Sequence, residues 1–419
     1  MEKALLVTIK FKHEKSNWTL EDVAEEMELL VDTAGAKVLD NIITICEKPT
    51  ANLLIGSGKV EELKVLCDEL EADTVIFSRD LSGTQQRNLE DIIGKKTIDR
   101  TQLILDIFAH HARSPEGKMQ VELAQLQYLF PRLIGKGIIL SRLGGGIGTS
   151  GPGEQKLEVD RRRIRKIIDN LKDNLKQVSL HRKTMRKRRK DNAIPTVAVV
   201  GYTSAGKSTL INTLTDSGQV VSSGLFTTLD PLSKSLQLAN GENIVISDTV
   251  GFLNDLPHHL IEAFKATLEE VVESDLLIHV LDVNHPRVYE HSKAVFEVLK
   301  ELGADEKPII TALNKIDLLD DKMWLERLKS DFVNPVAISA KLKTNIDALQ
   351  EKIQKNFADR MIKVELLIPH SRMDLIDLFY REGKVEEVRY LQKGIKVKAI
   401  LPKITYHKVL HIKGIEKVC

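Results

Sequence analysis

Residues 201–208 read G-Y-T-S-A-G-K-S, and this stretch decides the fold of the second half of the chain. It fits the pattern G-x-x-x-x-G-K-[ST], in which loop amides and a helix N-terminus wrap a chain of phosphates. The apolar run 197–200 before it is typical of a buried parallel strand, and residues 209–214 after it are a plausible helix start. Strand, glycine-rich loop and helix predict a phosphate-binding loop, although the octapeptide taken alone also fits a tight structural turn.

A second motif supplies a place for a metal ion. The apolar run 244–247 ends in Asp248-Thr249-Val250-Gly251. A carboxylate at the end of a strand beside a phosphate loop holds hydrated Mg²⁺, and the Gly251 amide is placed to sense a γ-phosphate. In such a loop Lys207 reaches the β- and γ-phosphates and the Ser208 hydroxyl ligates the Mg²⁺.

Two further motifs select the base. The run 308–313 leads into Asn314-Lys315-Ile316-Asp317, and the run 336–338 leads into Ser339-Ala340-Lys341. The Asp317 carboxylate accepts two donors of guanine, whereas adenine would leave it unpaired at a cost of about 1–3 kcal/mol or more. The amides of the last motif would meet the guanine O6 and Lys341 would cover the base. Four motifs in order, each at a strand end, predict a GTP-binding domain.

The segment 226–230 reads F-T-T-L-D and predicts a loop that closes on the nucleotide. Thr228, in preference to Thr227, would bind Mg²⁺ and the γ-phosphate and release them after hydrolysis; an ordinary solvated turn is the alternative. Phe252 follows Gly251, where many GTPases place a glutamine that orients the attacking water. Intrinsic hydrolysis should therefore be slow, or another group must position the water.

The residues predicted to bind the nucleotide are Gly201, Tyr202, Thr203, Ser204, Ala205, Gly206, Lys207, Ser208, Thr209, Phe226, Thr228, Asp248, Thr249, Val250, Gly251, Asn314, Lys315, Asp317, Ser339, Ala340 and Lys341. Of these, Lys207, Thr228 and Gly251 are predicted to be catalytic, and Ser208, Thr228 and Asp248 to hold Mg²⁺.

Composition limits the class of protein. The chain has 419 residues, 42% of them apolar, and a net charge of +1, so any nucleic-acid signal must be local. Three widely spaced cysteines argue against a disulfide framework and a metal site, and favour a reducing cytosol. No apolar run approaches the roughly 18 residues of a membrane span. We therefore expect a cytoplasmic monomer without an integral membrane segment.

The sequence predicts an α/β multidomain protein with boundaries at 1–112, 113–192, 193–358 and 359–419. The first region alternates strand-like and helix-like pieces, as in a small parallel α/β domain. Its strand-like pieces are 5–9, 42–46 and 74–77, and its helix-like pieces are 20–31, 60–70 and 84–93. The third region is the P-loop GTPase domain. The last predicts a small α/β domain with strands at 361–368, 385–391 and 395–401 and a helix at 373–380.

The second region predicts a helical hairpin arm. A helix over 117–130 should end at Pro131, a glycine-rich loop follows, and no Gly or Pro interrupts 156–190. Leu157, Ile164, Leu171 and Val178 recur every seven residues there, which predicts a rod of about 50 Å paired with the shorter helix.

The rod is basic, which favours binding to RNA phosphates, although a solvated face or a coil for a protein partner also fits. The candidate RNA contacts are Arg142, Gly144, Gly145, Gly146, Arg161, Arg162, Arg186, Lys187, Arg188 and Arg189.

Nearly the whole chain resembles the HflX GTPase family. The resemblance rests on motifs in the arm, VELAQL, PRL, LSR, GGGIG, GPGE and LEVDRR between residues 121 and 162, and on DTVGF at 248–252 and AFKATLEE at 263–270. It implies a translation factor that binds the large ribosomal subunit and splits stalled ribosomes, with the arm and its glycine tip reaching toward the peptidyl-transferase centre. A subunit-assembly GTPase and a regulator with a protein-docking arm are the alternatives.

Two residues depart from the family pattern. Ser150 stands where the family usually has Arg, which removes one cation from the tip. Ser204 stands where it usually has Asn, and in related GTPases that Asn helps to hold an activating potassium ion. This second departure argues against potassium stimulation.

Overall fold

The computed structural model describes residues 1–14, 18–132, 152–191, 194–215, 225–226, 233–255, 257, 265–412 and 414–417. Contacts divide the chain into two units. The first unit comprises Met1–Ser179, Ser222–Asp230 and Asp255–Lys265, and the second comprises Leu180–Val221, Pro231–Asn254 and Ala266–Cys419. The four domain boundaries drawn from the sequence stay a prediction.

The first unit contains a four-stranded sheet in which every pair of neighbours is parallel. Its strands are β1 (Lys3–Phe11), β2 (Lys37–Cys46), β3 (Thr74–Phe77) and β4 (Lys96–Asp99), in the order β2-β1-β3-β4. The parallel α/β domain predicted for this region is confirmed. The sequence reading missed β4, because four residues wedged between two helices are too few to show a periodicity.

Four helices connect and cover this sheet, and side-chain caps fix where three of them begin. Thr19 and Ser82 form capping boxes with residues three positions on, and Asp99 accepts a hydrogen bond from the Gln102 amide. Gly56 precedes the remaining helix without a side-chain cap. The helices are α1 (Leu20–Thr33), α2 (Ser57–Glu69), α3 (Gly83–Ile93) and α4 (Arg100–His111).

The arm consists of α5 (Pro115–Arg132) and α6 (Pro152–Asp191). Leu123 of α5 packs with Ile168 and Leu171 of α6, so the predicted pairing of the two helices along an apolar seam is confirmed. The 40 residues of α6 give a rod of about 60 Å at 1.5 Å per residue, longer than the rod of about 50 Å predicted from the sequence.

The expectation that α5 ends at Pro131 is wrong, because the helix runs through it to Arg132. A proline removes one amide donor from the last turn, and the Arg132 side chain holds that turn instead. Its Nη1 donates to the carbonyl of Tyr128 at 2.8 Å, and its Nη2 donates to the carbonyl of Leu81 at 2.6 Å and to Asp99 Oδ2 at 3.1 Å.

The second unit contains a six-stranded sheet with the order β10-β9-β8-β5-β7-β6. All neighbours are parallel except β6, which runs antiparallel to β7. The strands are β5 (Thr196–Gly201), β6 (Ser233–Gln237), β7 (Asn243–Asp248), β8 (Leu276–Asp282), β9 (Ile309–Asn314) and β10 (Pro335–Ala337). The helices in the described part of this domain are α7 (Lys207–Thr215), α8 (Lys265–Glu273), α9 (Val288–Glu301), α10 (Lys322–Asp331) and α11 (Ile346–Asn356).

A four-stranded antiparallel sheet follows at the C-terminal end of the second unit, in the order β12-β13-β11-β14. The sequence reading found three strands and one helix of it and missed α13 and β14. The elements are β11 (Met361–Ile368), α12 (Asp374–Glu382), β12 (Lys384–Leu391), β13 (Gly394–Pro402), α13 (Lys403–Leu410) and β14 (Glu416–Lys417).

The turn between β6 and β7 packs directly against the start of β12. Gly241 has a left-handed φ of 83°, and a methyl group added to it would lie 2.5 Å from the carbonyl carbon of Gly383. The Asn243 side chain donates to the carbonyl of Arg381 at 2.8 Å, and Lys384 Nζ donates to the carbonyl of Ala239 at 3.2 Å. The C-terminal sheet is therefore joined to the hairpin that leads to Asp248 by close backbone packing at Gly241 and by two hydrogen bonds from side chains to carbonyls.

Among the helices within the described ranges, none is long and apolar enough to cross a membrane.

Candidate nucleotide-binding site

The four motifs meet at one edge of the six-stranded sheet. They follow β5, β7, β9 and β10, and the carboxyl ends of parallel strands lie at the same edge, where α/β proteins bind their ligands. Hydrogen bonds connect the first motif to the second and the third, through Ser208–Asp248 and Ala205–Asn314, and the third motif to the fourth, through Asn314–Ala340. The structure thus brings together the residues that the sequence grouped.

Glycine is required at both ends of the phosphate loop by close backbone approach. Gly201 has a φ of 158°, and a methyl group there would lie 2.5 Å from the carbonyl oxygen of Val280. Gly206 has a left-handed φ of 96°, and a methyl group there would collide with the side-chain nitrogen Nδ2 of Asn314. These contacts fit the loop tightly against β8 and β9.

Lys207 begins α7 and is only 6% exposed. Its Nζ donates to the carbonyls of Gly201 at 3.0 Å and Tyr202 at 2.8 Å. Burial lowers the pKa of Lys207 to about 8, and the nearby Asp248 carboxylate opposes that shift. The ammonium group is thus held inside the loop, where the negative charge of a bound phosphate would balance its positive charge.

We expect nucleotide affinity to weaken as the pH rises through 8. Phosphates bind the charged form of Lys207, so full affinity is present below its pKa and is lost above it. A pKa of about 8 predicts an affinity for GDP about fourfold weaker at pH 8.5 than at pH 7. Fluorescent-nucleotide titrations measure it, with Lys207→Ala as the control that should vary much less. Equal pH dependence in both proteins would contradict the assignment.

Ser208 and Asp248 form the pair predicted to hold Mg²⁺. The Ser208 hydroxyl donates to Asp248 Oδ2 at 2.8 Å, and the Thr249 amide donates to Asp248 Oδ1 at 3.0 Å. A hydroxyl and a carboxylate oxygen side by side are the hard donors that Mg²⁺ prefers, so these residues fit the ion. Thr228, the third predicted ligand, lies outside the described residues.

The segment after Asp248 is fastened to the phosphate loop through Phe252. Its amide donates to the carbonyl of Gly201 at 3.1 Å, and its carbonyl accepts from the amide of Thr203 at 2.9 Å. The Phe252 side chain is 1% exposed, so it packs in the core and does not face a water molecule. A methyl group on Gly251 would lie 2.8 Å from Thr203 Cγ2 and 3.1 Å from Lys207 Nζ.

The base-selecting motifs are joined to the loop by Asn314. Its side-chain nitrogen donates to the carbonyl of Ala205 at 2.8 Å, and its oxygen accepts from the amide of Ala340 at 3.0 Å. Asp317 and Lys341 are exposed at the same edge. A buried amide therefore fixes the spacing between the phosphate loop and the two side chains predicted to recognise the base.

Several residues that hold the site together were not predicted from the sequence. Lys315 Nζ donates to Asp282 Oδ2 at 2.6 Å, and the Thr213 hydroxyl donates to the carbonyl of Ala340 at 2.8 Å. The sequence did indicate Asp282 as a candidate, because it ends the apolar run of β8 as Asp248 ends that of β7. The Tyr202 hydroxyl accepts from the Asn254 amide at 2.9 Å, a contact between distant residues that no spacing indicates.

Phe226, predicted to bind the nucleotide, has hydrophobic contacts in the first unit. Its ring lies 4.6 Å from that of Phe108, and the amide of neighbouring Leu225 donates to Thr33 Oγ1 at 3.0 Å. The side chain is 2% exposed. Its contact with the nucleotide stays a prediction. The predicted tip residues Arg142, Gly144, Gly145 and Gly146 lie outside the described residues, as do the side chains of 186–189.

We expect Ser204→Asn to create potassium stimulation of hydrolysis. Ser204 is exposed with a left-handed φ of 58°, a conformation that Asn adopts more readily than Ser. The exchange should raise stability by up to about 1 kcal/mol and add a side-chain oxygen for the ion. Hydrolysis in KCl and NaCl of equal ionic strength measures the effect. Ser204→Gly relieves the backbone without supplying a ligand, so an equal potassium response in both variants would contradict this reading.

Comparison with known proteins agrees with this geometry. Residues 21–109 match the family described as GTP-binding GTPase N-terminal, residues 111–189 the GTP-binding GTPase Middle Region, and residues 196–315 the 50S ribosome-binding GTPase family. GTPase HflX of Caldanaerobacter subterraneus subsp. tengcongensis is 48% identical, over 95% of this chain and 90% of the relative. GTPase HflX of Escherichia coli is 40% identical, over 92% and 90%.

A solved structure of SsGBP in complex with GDP is 28% identical, with a TM-score of 0.49, and covers 86% of this chain and 99% of that chain.

The family matches span the N-terminal region, the arm and the GTPase domain, and the curated relatives span nearly the whole chain. The GTPase domain binds GTP and GDP, and the protein is a GTP hydrolase. The phosphate loop, the Ser208–Asp248 pair and the base-selecting edge are the parts such an enzyme needs. The chain belongs to the HflX family of ribosome-binding GTPases.

Proposed function

We propose that this GTPase binds the large ribosomal subunit in a Mg²⁺-dependent, GTP-bound state and splits stalled ribosomes. The arm enters the ribosome, and its glycine tip reaches toward the peptidyl-transferase centre. The protein acts as a cytoplasmic monomer. The observation that carries the proposal is the long basic arm attached to a ribosome-binding GTPase domain.

The arm has the shape and charge of a probe for a phosphate-rich cleft. Helix α6 contains 15 Lys and Arg residues against 6 Asp and Glu residues. Its apolar seam packs against α5. The cations Arg162, Arg163, Arg165 and Lys166 are exposed. Folded RNA is bound through its backbone and shape, so an exposed run of cations on a narrow rod fits it.

Nucleotide binding at the site described above would control whether the arm binds its partner. Bound Mg²⁺ neutralises charge that develops on the β- and γ-phosphates during transfer. Ser208 and Asp248, with Thr228 as a further ligand, would hold the ion. Closing of the Thr228 segment on the γ-phosphate would mark the GTP-bound state, and its release would mark hydrolysis.

Separate assays for binding and splitting test the proposal. Co-sedimentation with purified subunits in GTP, GDP and no nucleotide should show GTP-dependent binding to mature large subunits, and light scattering should show loss of intact ribosomes. Changing Gly144, Gly145 and Gly146 to alanine should leave binding largely intact and impair splitting, because the tip contributes backbone freedom more than charge.

Other outcomes point to other functions. Binding to immature subunits alone would indicate an assembly GTPase, and no subunit binding would indicate an arm that docks protein. Parallel loss of binding and splitting in the tip variant would make the tip an ordinary contact.

Salt should weaken subunit binding, and neutralising Arg186, Lys187, Arg188, Arg189 and Lys190 should flatten that dependence. Each cation that contacts a phosphate contributes about one unit to the slope of log affinity against log salt. Sedimentation across a salt series measures the slope. Changing Lys322 and Lys329 of α10 to glutamine removes charge outside the arm and should leave the slope unchanged. An unaltered slope in the arm variant would argue against RNA contact there.

A further inference from the structure

The hydrolytic water needs an orienting group, and Phe252 cannot be that group. Its side chain is 1% exposed and apolar, while its backbone amide and carbonyl are bonded to Gly201 and Thr203. A glutamine that orients the water in many GTPases is thus replaced here by a core residue. The group that replaces its function must lie close to Gly251 and Lys207, where the γ-phosphate is expected.

Thr203 lies against Gly251 and carries a hydroxyl that no other described residue uses. The residue is 6% exposed, and among the described residues its Oγ1 is buried with no hydrogen-bond partner. Leaving a hydroxyl buried and unpaired costs about 1–3 kcal/mol, so such a group calls for an explanation. Neighbouring hydroxyls are engaged, since that of Ser208 donates to Asp248 and that of Thr249 donates to the carbonyl of Val199 at 2.7 Å.

Hydrogen bonds and a stacked ring fix the backbone on both sides of Thr203. The Thr203 amide donates to the Phe252 carbonyl at 2.9 Å, and the adjacent Tyr202 hydroxyl accepts from the Asn254 amide at 2.9 Å. The Tyr202 ring stacks on that of His291 with centroids 3.8 Å apart and planes 3° apart. Thr203 Cα and Cγ2 lie 3.0 and 2.8 Å from a methyl group built on Gly251, which places the residue against the γ-phosphate sensor.

We propose that Thr203 is a catalytic residue whose hydroxyl orients the attacking water. A hydroxyl oxygen can accept a hydrogen bond, so Thr203 Oγ1 can accept one from the water and hold the water oxygen toward the γ-phosphorus. The water oxygen forms a bond to the γ-phosphorus as the bond from phosphorus to the β–γ bridging oxygen breaks. The electron pair of that bond leaves with GDP, and the water's proton passes to an oxygen of the released phosphate.

Thr203 contributes orientation and takes up no proton in this step. The loss on removing it should therefore appear in turnover and leave nucleotide binding unchanged. The inference concerns hydrolysis by the protein alone and does not depend on the ribosome.

Thr203→Val tests this, because it removes the hydroxyl and keeps the branched shape. Its basal kcat without ribosomes should fall by about 10-fold to 100-fold. This loss is equal to or smaller than the loss usually seen when one positioned hydrogen-bonding group is removed. The KM for GTP and the affinity for GDP should stay within about twofold, as expected when an interaction is made only in the transition state. Thr203→Ser should restore most of the turnover.

Thr311→Val is the matched control, since it makes the same chemical change at a buried threonine of β9, a strand of the sheet whose edge carries the site. It should leave basal kcat unchanged. Retained GDP affinity and an unchanged melting temperature show that the Thr203 variants are folded.

A Thr203→Val protein with wild-type kcat would overturn the proposal, and so would a loss of GTP affinity in proportion to the loss of kcat. Failure of Thr203→Ser to recover activity would also overturn it, because the methyl group rather than the hydroxyl would then be what matters.

Discussion

Replacing Lys207 with alanine is expected to lower the rate of GTP hydrolysis by about 10²–10³-fold or more. The ammonium group is held by the carbonyls of Gly201 and Tyr202 within the phosphate loop. It is predicted to meet the charge that develops on the γ-phosphate. Alanine removes that charge and leaves the loop glycines in place. Single-turnover hydrolysis measures the chemical step, and circular dichroism with thermal melting shows whether the fold survives.

Lys352→Ala provides a matched control for the loss of a lysine. Its Nζ also donates to a backbone carbonyl, that of Pro335 at 2.8 Å, and burial also lowers the pKa of Lys352. It lies on α11, outside the four motifs. Wild-type turnover in Lys207→Ala, or an equal loss in both variants, would refute the assignment of Lys207.

Asp317→Asn is expected to exchange guanine for xanthine as the preferred base. The carboxylate accepts from two guanine donors, whereas the amide offers one donor and suits the oxygen that xanthine has in place of the 2-amino group. Leaving a guanine donor unpaired in the bound complex costs about 1–3 kcal/mol, which corresponds to roughly 5-fold to 150-fold in GTP affinity. Competition among GTP, XTP and ATP for a fluorescent nucleotide reads out the preference.

Asp320→Asn is the control for the change in charge, because Asp320 is exposed and follows the motif by three residues. It should keep the wild-type order of affinities. If the wild type bound ATP as tightly as GTP, Asp317 would have no part in base selection.

Much of the site could be predicted because its residues follow apolar runs. A buried parallel strand is readable as a continuous hydrophobic stretch, and the residue that ends it is carried to the sheet edge. Asp248, Asn314 and Ser339 were found in this way. The same reading placed the seam of the arm, where Leu171 recurs in a seven-residue pattern and packs against Leu123.

The remaining features depend on contacts between distant residues. Helix α4 buries most of its circumference and so lacks the one-sided pattern that reveals a surface helix. Pro131 stays inside α5 because Arg132 reaches Leu81 and Asp99, which lie far away in sequence. The unpaired hydroxyl of Thr203 is a property of its surroundings, and no sequence pattern reports it.

The contact between Gly241 and Gly383 limits how this protein can change over evolutionary time. A side chain at either glycine would meet backbone: a methyl group on Gly241 would lie 2.5 Å from the Gly383 carbonyl, and one on Gly383 would collide with the Ile400 carbonyl. Neither position has a side chain that could shrink to make room for the other. A substitution at Gly241 therefore has no compensating side-chain change at Gly383, because the atoms that it would meet belong to the backbone.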